Sequence, residues 1–161
     1  KKFSFEEKKL MNEELLKKIE ESTFFQKAQC IMAYWSMKDE VHTHDFIVKW
    51  ALKKRIRLPV VNGNQLKLKE FKGVEELLAG EKFGIPEPKG PIFDHPEDIS
   101  LILVPGVAFD KQNNRMGRGK AYYDHLLRES KAYKIGICFP FQIFSTVPHD
   151  HLDVKMDEVI F

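Results

Sequence analysis

Ile99-Ser100-Leu101-Ile102-Leu103-Val104 is almost wholly apolar and carries no charge, and Pro105-Gly106 stops it at once. An uncharged run of this length, bounded by a turn pair, reads as a strand covered on both faces, the central strand of a parallel sheet. Upstream, residues 28–36 form a second compact apolar run that ends in Tyr34-Trp35-Ser36 and reads as another buried strand. Residues 56–61 and 134–139 read the same way, and a last strand is expected at 158–161. Residues 65–71 alternate polar and apolar, as a half-exposed strand should. The turn between 56–61 and 65–71 is expected at Asn62-Gly63.

Helices fall between these strands. Ser4-Phe5-Glu6-Glu7 is a capping box, and Leu10, Met11, Leu15, Leu16 and Ile19 follow at helical spacing to about Ser22. Further helices are expected from near Thr43 to Lys53, over 74–79 with Gly80 closing it, and over 122–131. Residues 84–96 carry four prolines and two glycines and read as a loop. The alternation predicts one α/β domain over 1–161, a layered, mostly parallel sheet with helices on both faces.

Composition narrows the function. The chain has 161 residues, 43% hydrophobic and 31% charged, with a net charge of +2. That is an ordinary globular balance, and so small a basic excess disfavours a dedicated nucleic-acid binder. Cys30 and Cys138 sit in apolar runs without zinc spacing and read as buried, reduced thiols. No run is long enough to span a bilayer and the start is not a signal peptide, so a cytoplasmic location without membrane attachment is the expectation.

In open parallel sheets, ligands bind beyond the carboxyl ends of the strands. Two segments stand there. The first, Met37-Lys38-Asp39-Glu40, leaves strand 28–36. The second, Asn113-Asn114-Arg115-Met116-Gly117-Arg118-Gly119-Lys120, follows the central strand and precedes a helix. Gly117 and Gly119 let backbone N–H groups approach an anion, Arg115, Arg118 and Lys120 supply charge, and a helix start adds its free N–H groups. The chemistry suits a phosphate cradle, and the same spacing also suits a solvated basic turn. Ala121 in place of Ser or Thr excludes a Walker A loop, and Tyr122 excludes a dinucleotide fingerprint. Asp124 lies one turn past Lys120, where a carboxylate beside phosphates suits Mg²⁺ and, without them, stabilises a helix dipole.

Leu103-Val104-Pro105-Gly106-Val107-Ala108-Phe109-Asp110 and Asn114-Arg115-Met116-Gly117-Arg118-Gly119-Lys120-Ala121-Tyr122-Tyr123-Asp124 resemble the signature of the 5-formyltetrahydrofolate cyclo-ligase family. Ser36-Met37-Lys38-Asp39-Glu40-Val41, Ile85-Pro86-Glu87-Pro88 and the stretch from Val147-Pro148 to Asp153 extend the resemblance. It implies an ATP- and Mg²⁺-dependent closure of 5-formyltetrahydrofolate to 5,10-methenyltetrahydrofolate, with ADP and phosphate released through a phosphorylated formyl intermediate. It also implies roles. Arg115, Met116, Gly117, Arg118, Gly119, Lys120, Ala121, Tyr122 and Tyr123 would contact ATP, and of these Arg118 through Tyr122 would also face the folate. Trp35 and Glu40 would line the folate site. Asp124 and Asp153 would hold magnesium. Glu40, Arg118 and Lys120 would carry the catalysis, in an enzyme expected to be monomeric.

The sequence departs from that pattern in places. Ala121 stands where glycine is usual, Asn113 at a common glycine position, and Leu152 where bacterial relatives often have His. The family's first helix bears a Lys and an Arg that contact ATP, and this chain opens where that helix would be ending.

Three other readings use the same residues. An RNA-binding module would use the basic loop with Tyr122 and Tyr123 as stacking platforms. A sugar-phosphate isomerase or acyl-transferase of similar fold would hold a substrate phosphate there. His42-Thr43-His44 and His149-Asp150-His151, with Asp153 or His95, would make a divalent-metal site. The nucleotide reading separates from these through one variant. Lys120→Ala is expected to impair ATP use far more than folding, checked by steady-state kinetics alongside thermal unfolding.

Overall fold

The computed structural model describes residues 2–80, 84–118 and 122–161. Helix α1 (Phe5–Glu21) begins at its capping box: Ser4 Oγ accepts from Glu7 N–H and Glu7 Oε1 accepts from Ser4 N–H, both at 3.1 Å. Ser22 is extended and breaks the helix, and a short α2 (Thr23–Lys27), not expected from sequence, follows. Strand β1 (Cys30–Met32) and helix α3 (His44–Trp50) come next. Strands β2 (Arg55–Asn62) and β3 (Gln65–Glu70) pair antiparallel with Asn62 opposite Gln65. The turn residues are therefore Gly63 and Asn64, one position later than expected, with Gly63 taking φ 66°.

The expected helix over 74–79 is absent. Val74–Glu76 makes one 3₁₀ turn and Leu77–Ala79 is a strand, β4, paired antiparallel with β5 (Pro86–Pro88) inside the expected loop. Six residues are too few for a helix to hold itself, and the backbone partner offered by 86–88 decides the conformation. The central strand is β6 (Leu101–Val104). The segment after it is a hairpin, β7 (Ala108–Asp110) with β8 (Arg115–Met116), where the sequence suggested irregular chain. Helix α4 (Tyr122–Glu129), β9 (Tyr133–Ile137), β10 (Ile143–Phe144) and β11 (Glu158–Ile160) complete the order.

The main sheet has the order β11-β9-β6-β1-β2-β3, all parallel except for β3 against β2. Alternation along each strand splits the core in two. Ile31, Leu101, Leu103, Ile135 and Ile137 face Leu15, Ile19, Phe25, Phe46 and Ile47 of α1, α2 and α3. Cys30, Met32, Ile102 and Val104 face Leu127 of α4. Helices thus cover both faces, as the uncharged strands require. Both cysteines are free and buried, and burial pushes the Cys138 thiol up to about 12, which leaves it un-ionised and unreactive. Among the described residues no helix is long and apolar enough to cross a membrane.

The hairpin β7–β8 is fixed by two neighbouring residues. The Phe109 ring is fully buried against β9, where a Cβ on Gly136 would stand 2.5 Å from it. Its far edge meets Gly106, where a Cβ would stand 2.8 Å away. Both glycines exist to admit this ring. Asp110, 2% exposed, accepts from Gln112 N–H and Asn114 N–H at 3.0 Å, and from Asn114 Nδ2 and Val147 N–H at 3.1 Å. Burial works against its charge, but these bonds from Asn114, Val147 and Gln112 win and hold the carboxyl below its ordinary value. Asp110 therefore adds stability that is present above the unfolded-state value and is lost as the pH falls through the folded one. Asp110→Ala strands buried donors on two segments, and urea denaturation is expected to show a loss of about 3 kcal/mol.

Candidate active site

Strand order reverses direction at β1, since the chain moves from β1 to β2 on one side and returns to β6 on the other. A crevice opens beyond the carboxyl ends of β1 and β6, as such a reversal produces. It holds a cavity of about 400 Å³, large enough for a drug-sized ligand.

One wall is the segment after β1. Trp35, 9% exposed, stacks on His44 at 4.0 Å and 9°, and His44 Nε2 is held 2.9 Å from the Ser36 carbonyl. Buried Thr43 ties the segment down: its Oγ1 donates to the Tyr34 carbonyl at 2.5 Å and accepts from Ser36 N–H at 3.1 Å. Glu40 Oε1 accepts from Met37 N–H at 2.7 Å, so a tight turn aims the carboxylate into the cavity. Desolvation raises the Glu40 carboxyl above its ordinary value, against the lowering by Met37 N–H and by Arg118.

The opposite wall is the hairpin and the start of α4. Arg115, though 9% exposed, lies beside the cavity with its Nη1 donating to the Pro105 carbonyl at 3.0 Å. Its Nη2 is 3.7 Å from Asp124 Oδ1, and its guanidinium sits 5.2 Å from the centre of the Tyr123 ring. At Gly117 a Cβ would stand 2.9 Å from Arg115 Nη1, so a side chain there would push the guanidinium from its place. Arg118 reaches across the mouth and donates to both oxygens of Asp39, at 3.0 and 3.2 Å. Both partners are exposed, so this pair contributes roughly 0–1 kcal/mol and yields readily to a ligand.

Trp35, Glu40, Arg115, Met116, Gly117, Arg118, Tyr122, Tyr123, Asp124 and Asp153 all line this one cavity, drawn from four separate parts of the chain. Gly119, Lys120 and Ala121 lie outside the described residues. Sequence reasoning did not anticipate the apolar third wall. Leu58 and Val61 of β2, Leu66 of β3 and Ile85 beside β5 supply it, with Glu87, whose Oε2 accepts from Val61 N–H at 2.7 Å. Nor did it single out Tyr34, whose position one residue before Trp35 at a strand end was the available signal.

The histidines do not form a metal centre. Among the described residues, no three His, Cys, Asp or Glu side chains converge on a point. Asp124 and Asp153 nonetheless both face the cavity and both act electrostatically on Arg115. Two carboxylates suit a Mg²⁺ that arrives with phosphate oxygens and keeps several waters, and do not suit a resident all-protein cage.

Comparison with known proteins agrees with this geometry. The 5-formyltetrahydrofolate cyclo-ligase family matches residues 1–161. The 5-formyltetrahydrofolate cyclo-ligase of Mus musculus is 33% identical over 153 residues, 85% of this chain and 75% of that one. The NMR structure of the Aquifex aeolicus 5,10-methenyltetrahydrofolate synthetase superposes with a TM-score of 0.87 at 34% identity, covering 98% of this chain and 81% of that one. A 5,10-methenyltetrahydrofolate synthetase from Mycoplasma pneumoniae gives 0.77 at 26% identity, covering 98% and 88%. With the full chain matched and the same fold in proteins of that name, this chain belongs to the 5-formyltetrahydrofolate cyclo-ligase family.

Proposed function

We propose that the chain converts 5-formyltetrahydrofolate to 5,10-methenyltetrahydrofolate at the expense of ATP, releasing ADP and phosphate. The observation that carries this reading is a single cavity with two unlike walls. One is basic and built on a hairpin, and the other is aromatic with one carboxylate whose charge is disfavoured. A triphosphate and a reduced pterin need these two surfaces side by side. The names of the relatives support the same assignment.

The chemistry explains the pairing. A formamide oxygen is a poor leaving group. In the proposed path it attacks the γ-phosphorus, the bond to the bridging oxygen breaks and ADP departs. The N10 lone pair then attacks the activated formyl carbon, the carbon–oxygen bond breaks, phosphate leaves, and N10 loses its proton. Catalysis is mainly positioning and charge neutralisation. Arg115 and Arg118, with Lys120, supply cations around the transferring group, and Arg118 exchanges Asp39 for phosphate oxygens when the nucleotide enters. Asp124 and Asp153 would hold Mg²⁺ against the phosphates, where the ion neutralises charge on the γ-phosphoryl group. Glu40 takes the N10 proton, a task suited to a carboxylate whose affinity for protons burial has raised.

The decisive assay is the growth of methenyl-product absorbance from 5-formyltetrahydrofolate with Mg-ATP. Turnover supports the assignment, and its absence in the folded, full-length protein removes it. Glu40→Gln is expected to lower kcat at least about a hundredfold, the usual range for loss of a general base. Because the folded-state value of Glu40 is raised, its ionisation costs stability as the pH rises through that value. The same variant is therefore expected to unfold at an equal or higher temperature than the parent at neutral pH. The acid limb of kcat/KM should also lie above the ordinary carboxylate range in the parent and vanish in the variant.

A further inference from the structure

Tyr34 is 3% exposed and lines the cavity, yet its hydroxyl has no hydrogen-bond partner in the structure. A buried hydroxyl without a partner is destabilising. Phenylalanine would fill the same space without that cost. Its carbonyl accepts from Thr43 Oγ1, which ties down the backbone of the segment that also carries Trp35 and Glu40.

Its neighbours define what the hydroxyl can do. Glu40 and Tyr123 both lie close enough to disfavour the phenolate, and burial does so more strongly. The group is therefore a neutral O–H donor. Glu40, beside it, offers only acceptors when ionised. The pair sets a donor near an acceptor at the edge of the cavity. Phosphate oxygens are acceptors only and belong with Arg115 and Arg118. A reduced pterin carries both N–H groups and a ring carbonyl, and the carbonyl is its strongest acceptor.

We propose that Tyr34 is a specificity-determining residue whose hydroxyl donates to the ring carbonyl of the reduced pterin while Glu40 serves a substrate N–H. This rests on the folate reading of the cavity. The hydroxyl unpaired in the free protein is paired only in the complex, so its unfavourable burial becomes discrimination between pterins.

The test compares Tyr34→Phe with the parent in three measurements. These are equilibrium binding of 5-formyltetrahydrofolate, binding of the analogue in which a 4-amino group replaces the ring carbonyl, and thermal unfolding without ligand. The expected result is about tenfold weaker binding of 5-formyltetrahydrofolate, the usual effect of one lost specificity bond. Binding of the 4-amino compound should be unchanged or improved, the KM for ATP unchanged, and the unfolding temperature equal or higher. Equal affinity of parent and variant for 5-formyltetrahydrofolate overturns the proposal, as a buried water would then satisfy the hydroxyl in both states. A uniform loss towards both pterins and ATP together with a lower unfolding temperature also overturns it, in favour of a packing role. A parent that binds no reduced folate at all removes the folate reading itself and this inference with it.

Discussion

The site depends on the seating of Phe109 and Asp110. The ring enters the sheet layer only because Gly106 and Gly136 leave room for it, and the carboxylate gathers donors from the turn of its own hairpin and from Val147. One contact is apolar and the other is charge-assisted, and together they fix both the position and the orientation of two very short strands. Arg115 is the residue directly opposite Phe109 in that hairpin, so the guanidinium inherits its placement from the core. A basic loop of this composition would otherwise wave in solvent. Here its central cation is buried, bonded to the Pro105 carbonyl and packed on Tyr123.

The opposite wall is built on another principle. Trp35 and Glu40 stand on chain that has left β1 without regular structure, held by a hydroxyl–amide lattice between Ser36 and Thr43. Burial raises the proton affinity of Glu40 and favours the neutral form of Tyr34, and it weakens the hold of Arg115 on its proton while Asp124 and Asp153 strengthen it. Each shift follows from burial of a polar group near the crevice, and such departures concentrate where chemistry is done. The proposed transfer of a phosphoryl group to a formyl oxygen draws on both walls, since the nucleotide and the folate must meet between them.

Much of this was legible in the sequence. The uncharged run 99–104 marks the parallel sheet, and Arg115 to Arg118 with Trp35 and Glu40 converge on one crevice. What escaped was pairing between distant segments. Val74 to Ala79 looks helical because two glutamates and two leucines fit either period, and only the extended chain at 86–88 makes it a strand. The third wall was hidden because Leu58, Val61 and Leu66 read as ordinary core and Ile85 as loop. Their exposure to the cavity follows from the hairpin β2–β3 extending past the end of β1, which no local pattern encodes. The contact between Arg118 and Asp39 joins residues 79 apart and had no local signal at all.

That contact also sets how the entrance responds to salt. A guanidinium and a carboxylate, both wet, clasp across the entrance to the cavity. Exposed charges lose their mutual attraction over roughly 8 Å at physiological ionic strength, whereas the less accessible pair of Arg115 and Asp124 is screened less. Salt therefore acts on the door and not on the room. The clasp at the entrance weakens with ionic strength, while the position of Arg115 is set by core packing that ions do not reach.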